Sequence, residues 1–366
     1  MQFCDLNRQY SLYKEEIDSA ISTVINSSSF INGKDTILLE EELSNYTGAK
    51  HSICCSSGTD ALLLAMMALD VEPGDEVICP AFSFFASASM ISFLKATPVF
   101  VDVSPLDYNI DITKIEEKIT PRTKGIIAVS LFGQCADMDS INQIARHYGL
   151  WVIEDAAQSF GATYNGKKSC NLSEVAVTSF FPAKPLGCYG DGGAIFTSDD
   201  SLASKLKMLR GHGQSARYYH DMVGINGRID TIQSAILRVK LRHLDKELEN
   251  RQKAADLYTS LLGDIAMLPE ISGNRESVWA QYTISLANRD EIRSKLQEKG
   301  IPTAVHYPLI LPAQKAFSYL DSFGESFQVA ELLSSTVLSL PMHGLIEEEE
   351  VKLVAETLIK IINGQS

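Results

Sequence analysis

Lys184 is the one amine in the run Val175-Ala-Val-Thr-Ser-Phe-Phe-Pro-Ala-Lys184-Pro-Leu-Gly187-Cys-Tyr-Gly190-Asp-Gly192-Gly193. Ammonium groups are rarely buried unpaired, and partial desolvation disfavours the charged form, which suits an amine to carbonyl chemistry and Schiff-base formation. The glycines that follow let backbone approach a flat, bulky group. The same lysine could instead lay its stem over apolar surface and keep its head in water. The segment alone leaves both readings open.

Four other segments carry groups able to share a site with that amine. Ser56-Ser57-Gly58-Thr59-Asp60 precedes the apolar run Ala61–Leu69, which places hydroxyls and unpaired N–H groups at a helix start, either as an anion site or as an ordinary cap. Ile153-Glu154-Asp155 ends an apolar strand in carboxylates, able to hold the proton of a heteroaromatic nitrogen or simply to begin a helix. Pro80-Ala-Phe82-Ser-Phe84-Phe85 offers aromatics for stacking or for the core. Gly224-Ile-Asn226-Gly-Arg228-Ile-Asp230 is a polar loop ahead of a helix. Amine, carboxylate, helix-terminal cradle and aromatic match the aldehyde, ring nitrogen, phosphate and ring face of pyridoxal 5′-phosphate.

The elements that must position these groups alternate. Strands are expected at Ser52–Cys55, Glu76–Cys79, Pro98–Val101, Gly125–Val129, Trp151–Ile153, Val175–Phe181 and Ala194–Thr197, with helices from Asp60, near Ala86–Leu94 and near Asp139–Tyr148. This is βαβ rhythm, which predicts an α/β fold with a mainly parallel sheet and ligands beyond the carboxyl ends of its strands. A charged helical stretch, Leu237–Leu262, leads toward a second unit with a strand at Gln281–Leu286 and helices near Arg289–Lys299 and Glu348–Ile362. The expected division is a large domain over 1–240 and a small α+β domain over 241–366.

Composition narrows the classes. A net charge of −14, from 46 acidic and 32 basic residues, argues against nucleic acid or an anionic membrane as the main partner. Seven cysteines without a C-x-x-C pair give neither a disulfide framework nor a zinc site, and the histidines lack metal-ligand spacing, so no metal is expected. The opening residues lack a signal-peptide core and the longest apolar run is too short to span a bilayer. A cytoplasmic protein is expected.

The chain resembles the DegT/DnrJ/EryC1/StrS sugar aminotransferases, within the aspartate-aminotransferase-like type I fold. The likeness runs through Phe30-Ile-Asn-Gly33, Ser57-Gly-Thr-Asp60, Glu154-Asp-Ala-Ala-Gln158, Ser179-Phe-Phe-Pro-Ala-Lys184, Gly190-Asp-Gly-Gly193 and His306-Tyr-Pro308. It implies a large domain with a seven-stranded sheet and a small C-terminal domain. It makes Lys184 the Schiff-base lysine and the proton carrier, Asp155 the partner of the ring nitrogen, Gln158 the contact to the ring's 3-oxygen side and Phe84 the stacked ring. Gly58, Thr59 and Ser179 would hold the phosphate, with Asn226 arriving from the second subunit of a homodimer. Arg228, His306 and Tyr307 would lie near the sugar. Some family members are dehydratases with histidine in place of the lysine, so Lys184 favours transamination.

The implied reaction moves an amino group from L-glutamate, by way of pyridoxamine 5′-phosphate, to a keto nucleotide sugar. Lys184-Pro-Leu-Gly-Cys-Tyr-Gly-Asp-Gly-Gly and Val129-Ser-Leu-Phe-Gly-Gln-Cys-Ala-Asp137 resemble the branch acting on UDP-linked 3-keto-2-acetamido uronic acids for bacterial surface polysaccharides. Other 3-keto or 4-keto UDP- or dTDP-sugars are the alternative. Phe82-Ser-Phe-Phe85 departs from the Phe-Thr-Tyr common among relatives, and Gly227 stands where serine is frequent.

Other patterns are weaker. Gly161-Ala-Thr-Tyr-Asn-Gly166-Lys167-Lys168 lacks the Ser or Thr that a P-loop needs after its lysine and reads as a hairpin turn. No G-x-G-x-x-G opens the first βα unit, as a nicotinamide enzyme would require. A regulatory binding protein that kept the fold is the non-enzymatic alternative.

Overall fold

The computed structural model describes residues 1–263, 265–320, 322 and 324–364. One sheet organises it. Its strands are β1 (His51–Cys55), β2 (Glu76–Pro80), β3 (Thr97–Val101), β4 (Thr123–Val129), β5 (Trp151–Asp155), β6 (Val175–Ser179) and β7 (Gly193–Thr197). They lie in the order β1-β7-β6-β5-β4-β2-β3, and β7 alone runs against the rest. The expected mainly parallel α/β sheet is present.

The reversed strand has a direct cause. Expected strand 175–181 stops at Ser179, because Phe180 N–H donates to Gly192 O at 2.8 Å and the chain turns back on itself. No crossover helix separates β6 from β7, so β7 must pair antiparallel. The loop between them, which holds Lys184, therefore stays at the carboxyl edge of the parallel strands.

The helices are α1 (Leu6–Ser27), α2 (Lys34–Thr47), α3 (Gly58–Ala68), α4 (Ala86–Phe93), α5 (Met138–Tyr148), α6 (Asp200–Arg210), α7 (Thr231–Leu262), α8 (Arg289–Glu298), α9 (Gln328–Thr336) and α10 (Glu348–Ile362). α3, α4 and α6 pack on one face of the sheet in a core of Leu62, Leu64, Ile91, Ile127, Ile153, Val177 and Leu206. On the other face, residues of β6 and β7 pack with α2 and α7 around Leu39, Leu43, Phe180, Phe196 and Leu237, and α5 covers β4 and β5 with Met138 and Ile141. α1, α2, α6 and α9 lie outside the elements expected from sequence. In α1 the buried stripe is narrow, Tyr13, Ile17 and Val24, and it meets Ile236 and Val239 of α7 rather than the sheet.

α7 is a single helix of 32 residues, about 48 Å long at 1.5 Å per residue. It runs unbroken across position 240. Its later turns bury Ala254, Tyr258 and Leu262 against a two-stranded sheet, β8 (Tyr282–Ser285) with β9 (Val337–Leu340), and against α8 and α10. Arg8, at the start of α1, donates to both Glu350 carboxylate oxygens at 2.8 and 3.0 Å and to Leu345 O at 2.8 Å. That fork fastens the N-terminal helix to α10.

The Gly161–Lys168 stretch is a hairpin, Thr163–Tyr164 against Lys167–Lys168, with Asn165 and Gly166 both at positive φ. Asn-Gly is the pair that a two-residue turn of this kind favours. The seven cysteines are free, and six are buried. Among the described residues no helix is long and apolar enough to cross a membrane.

Gly125 and Trp151 are partners across β4 and β5, and a Cβ on Gly125 would meet the Trp151 ring at 2.1 Å. Gly125→Ala should destabilise the fold by about 1–3 kcal/mol through overpacking. A lowered midpoint in urea unfolding checks this; an unchanged midpoint would show that the indole relocates without cost.

Candidate active site

The carboxyl ends of β1, β4, β5 and β6 surround a cavity of about 380 Å³, within the range of small-molecule sites. Lys184 lies in the β6–β7 loop, and a turn fixes it, its own N–H donating to Phe181 O at 2.9 Å. Gly187 is required nearby, since a Cβ there would sit 2.4 Å from Pro182 O. α7 holds the loop from behind. Lys240 Nζ donates to Gly187 O, and Gln233 exchanges two hydrogen bonds with the Tyr189 backbone at 2.8 and 3.2 Å.

Lys184 is half-buried, with one side open to the cavity. Desolvation lowers its ammonium pKa to about 8, while the charge of Asp155 opposes the shift. This settles the ambiguity of the sequence: the side chain lines the cavity rather than reaching over the surface.

Asp155 is the last residue of β5 and is buried. Burial pushes its carboxyl pKa up; hydrogen bonds from Ala157 N–H and Ser87 Oγ, and the charge of Lys184, pull it down. A cationic ring N–H beside it would favour the carboxylate further.

Ser57 caps α3, its Oγ accepting from Asp60 N–H at 3.0 Å, and the first N–H groups of the helix have no intrahelical acceptors. Backbone packs tightly here. A Cβ on Gly58 would lie 2.7 Å from Ser179 Cβ, and one on Gly193 would lie 2.5 Å from the Ser57 carbonyl. The two glycines thus bring Gly58, Thr59 and Ser179 to one corner, an arrangement suited to an anion held by neutral donors and a helix dipole.

Gln158 is buried, and its Oε1 accepts from Phe132 N–H at 2.9 Å while Nε2 donates to Tyr307 Oη at 3.1 Å. The amide orientation follows, with N–H directed toward Tyr307. Phe84 is 54% exposed, and its ring lies 6.0 Å from that of Tyr307 across the cavity wall. His306 Nδ1 pairs with Ser339 Oγ at 2.8 Å. Burial, aided by the Lys184 charge, lowers its pKa to about 4, so it is neutral at pH 7.

The fold therefore gathers Gly58, Thr59, Phe84, Asp155, Gln158, Ser179, Lys184, His306 and Tyr307 around one cavity. It does not bring Asn226 or Arg228 there. Asn226 is exposed and bridges Gly211 through backbone. Arg228 is half-buried, and its Nε is enclosed without a partner. Ser83, Asp191 and Gln281 also line the cavity, and Ser87 stands behind Asp155. Ser83 and Asp191 lie within the Phe82–Phe85 and Gly190–Gly193 motifs, whereas no motif marks Ser87 or Gln281.

Amine, buried carboxylate, neutral anion corner and aromatic wall fit pyridoxal phosphate: the donor set supplies a partner for each of its polar groups, and the glycine contacts shape the phosphate corner.

Comparison with known proteins agrees. The family model described as DegT/DnrJ/EryC1/StrS aminotransferase matches residues 12–359. A Pseudomonas aeruginosa protein named UDP-2-acetamido-2-deoxy-3-oxo-D-glucuronate aminotransferase is 48% identical, over 98% of this chain and 99% of its own length. A Geobacillus stearothermophilus protein named pleiotropic regulatory protein is 46% identical, over 97% and 96%. The crystal structure of NtdA from Bacillus subtilis with bound cofactor PMP superposes with a TM-score of 0.92 at 34% identity, covering 99% of this chain and 85% of that one.

The depressed Lys184 pKa has a kinetic signature. Were Lys184 the amine that captures added pyridoxal phosphate in cofactor-free protein, its neutral form would be needed, so below pH about 8 the rate should rise roughly tenfold per pH unit and then level off. Stopped-flow absorbance reads this; a rate that keeps rising to pH 10, an ordinary lysine's range, would contradict it.

Proposed function

Since the chain belongs to the DegT/DnrJ/EryC1/StrS aminotransferase family, and is thereby a pyridoxal-phosphate-dependent nucleotide-sugar transaminase, we propose that it transfers the amino group of L-glutamate to C3 of a UDP-linked 3-keto-2-acetamido uronic acid. The carrying observation is the pairing of one desolvated amine, Lys184, with one buried carboxylate, Asp155, in a single cavity. The 48% identity to the P. aeruginosa enzyme supports the sugar assignment. A role in surface polysaccharide synthesis follows from the same assignment.

Bound pyridoxal phosphate supplies the electron sink that lets an amino group leave one carbon and join another. The chain's residues do the rest. Lys184 Nζ would hold the cofactor and would carry the proton at the carbon that loses or gains nitrogen; an amine with pKa near 8 suits both directions. Asp155 would hold the proton of the ring nitrogen. Gln158, its amide fixed by Phe132 N–H and Tyr307 Oη, would contact the ring's oxygen side. Gly58, Thr59 and Ser179 would hold the phosphate, and Phe84 would cover a ring face. Neutral His306 and Tyr307 face the sugar without adding charge.

The site is proposed to be shared between two copies of the chain. Among the described residues Lys184 is the only lysine or arginine lining the cavity, beside the acids Asp155 and Asp191. The cofactor phosphate, the nucleotide diphosphate and the carboxylates of both substrates add more negative charge. Arg228, with its enclosed and unpartnered Nε, and exposed Asn226 would meet these anions in the second copy's cavity.

Glutamate added to the cofactor-loaded protein should convert its absorbance to that of the pyridoxamine form; an unchanged spectrum would refute transamination. Amination of a 3-keto UDP-uronate, but not of 4-keto dTDP-sugars, is expected in a substrate panel, and the reverse preference would overturn the sugar assignment. Lys184→Ala should abolish turnover, whereas a purely regulatory protein would keep its function. Mixing inactive Lys184→Ala and Arg228→Ala proteins under subunit exchange should restore part of the activity through hybrid dimers; no recovery would refute the shared site.

A further inference from the structure

Ser87 is in the first turn of α4 and is 1% exposed. A serine there commonly caps the helix, but the N-cap of α4 is Phe85 and the Ser87 hydroxyl is used elsewhere. Its Oγ donates to Asp155 Oδ2 at 2.9 Å. The other carboxylate oxygen, Oδ1, accepts from Ala157 N–H at 3.2 Å. Both oxygens of this buried acid are thus tethered, one by its own strand end and one by a helix from across the cavity floor.

The direction of the hydrogen bonds is fixed by chemistry. An ionised carboxylate only accepts, so the single hydroxyl hydrogen of Ser87 points at Asp155. Ser83 Oγ lies 3.4 Å from Ser87 Oγ, longer than an ordinary hydroxyl hydrogen bond; with the Ser87 hydrogen committed, the contact can close only with Ser83 as donor. The result is a one-way chain, Ser83 to Ser87 to Asp155, beginning at a residue that lines the cavity. Donation to a charged acceptor strengthens when the donor is itself polarised by a second donor.

We propose that Ser87, oriented by Ser83, is a positioning residue that holds Asp155 as an oriented carboxylate and thereby keeps the nitrogen of the bound cofactor ring protonated. The proposal rests on the assignment of Asp155 to that nitrogen. It gives the Phe82-Ser83-Phe84 segment a second role: its aromatic covers the ring while its serine starts the relay that serves the ring's far edge.

NMR of holoenzyme reconstituted with pyridoxal phosphate isotope-labelled at the ring nitrogen tests this without turnover. In Ser87→Ala the nitrogen resonance should move from the pyridinium position toward that of neutral pyridine, and cofactor affinity should fall about tenfold, the worth of one hydrogen bond to a charged group. Ser87→Thr should restore both, and Ser87→Cys, a weaker donor, should fall between. Asp155→Asn is the control for the underlying assignment. A shift in Asp155→Asn but none in Ser87→Ala, whether or not affinity falls, would overturn the role of Ser87. No shift in either would overturn the assignment of Asp155 itself, and the proposal with it.

Discussion

A lysine set where its charge is penalised governs the site. Desolvation favours the neutral amine that carbonyl chemistry needs, yet Asp155 in the same cavity pulls the other way. A fully paired lysine would stay charged and inert, and an isolated one would cost too much to bury. The structure takes a middle course: one acid, itself restrained by Ser87 and Ala157, and an open side facing ligand space. Amine and acid are thereby coupled in one cavity, each biasing the protonation of the other.

Backbone topology makes that arrangement possible. Because the chain turns back after Ser179 without a crossover, Lys184 remains at the carboxyl edge where β5 presents Asp155 and β1 delivers the start of α3. The close contacts at Gly58 and Gly193 leave no room for a Cβ. Those two glycines belong to the sheet's geometry as much as to the ligand's. α7 contributes from the opposite side, where its Gln233 and Lys240 grip the loop backbone, while its far end enters the C-terminal core. A movement of that core would reach Lys184 through a helix with few places to absorb it.

Sequence reading recovered what periodicity and strand ends encode. The strands of the large sheet, the helices following β1, β2 and β4, and the cluster from Gly58 to Tyr307 are legible because apolar runs ending in polar residues mark the carboxyl edge of a parallel sheet. The expected strand 175–181 exceeds the observed one by two residues, since Phe180 and Phe181 are as apolar as the strand before them and the turn depends on a hydrogen bond to Gly192. α1 escaped because its buried stripe is narrow and faces another helix, and α2 because only Leu39 and Leu43 of its apolar residues are fully buried. Ser87 was invisible for a different reason: one of several serines in a short helix reads as filler until its partner, 68 residues away, is placed against it. Residues that act directly on a ligand leave motifs, whereas those that act through another residue leave only contacts.

The charge balance of the whole chain runs against its ligands, since a protein of net charge −14 must gather a cofactor phosphate and a nucleotide sugar. At physiological ionic strength, however, exposed charges beyond about 8 Å are largely screened, so capture is decided by groups at the site. There the corner formed by Gly58, Thr59 and Ser179 offers neutral hydroxyls and helix N–H groups, whose dipoles need no counterion and do not compete with Lys184 for Asp155. A second cation inside the cavity would lower the Asp155 pKa but would also depress that of Lys184. In the proposed shared site, cationic charge supplied by Arg228 of another copy would let substrate anions be bound without adding a second cation beside Lys184.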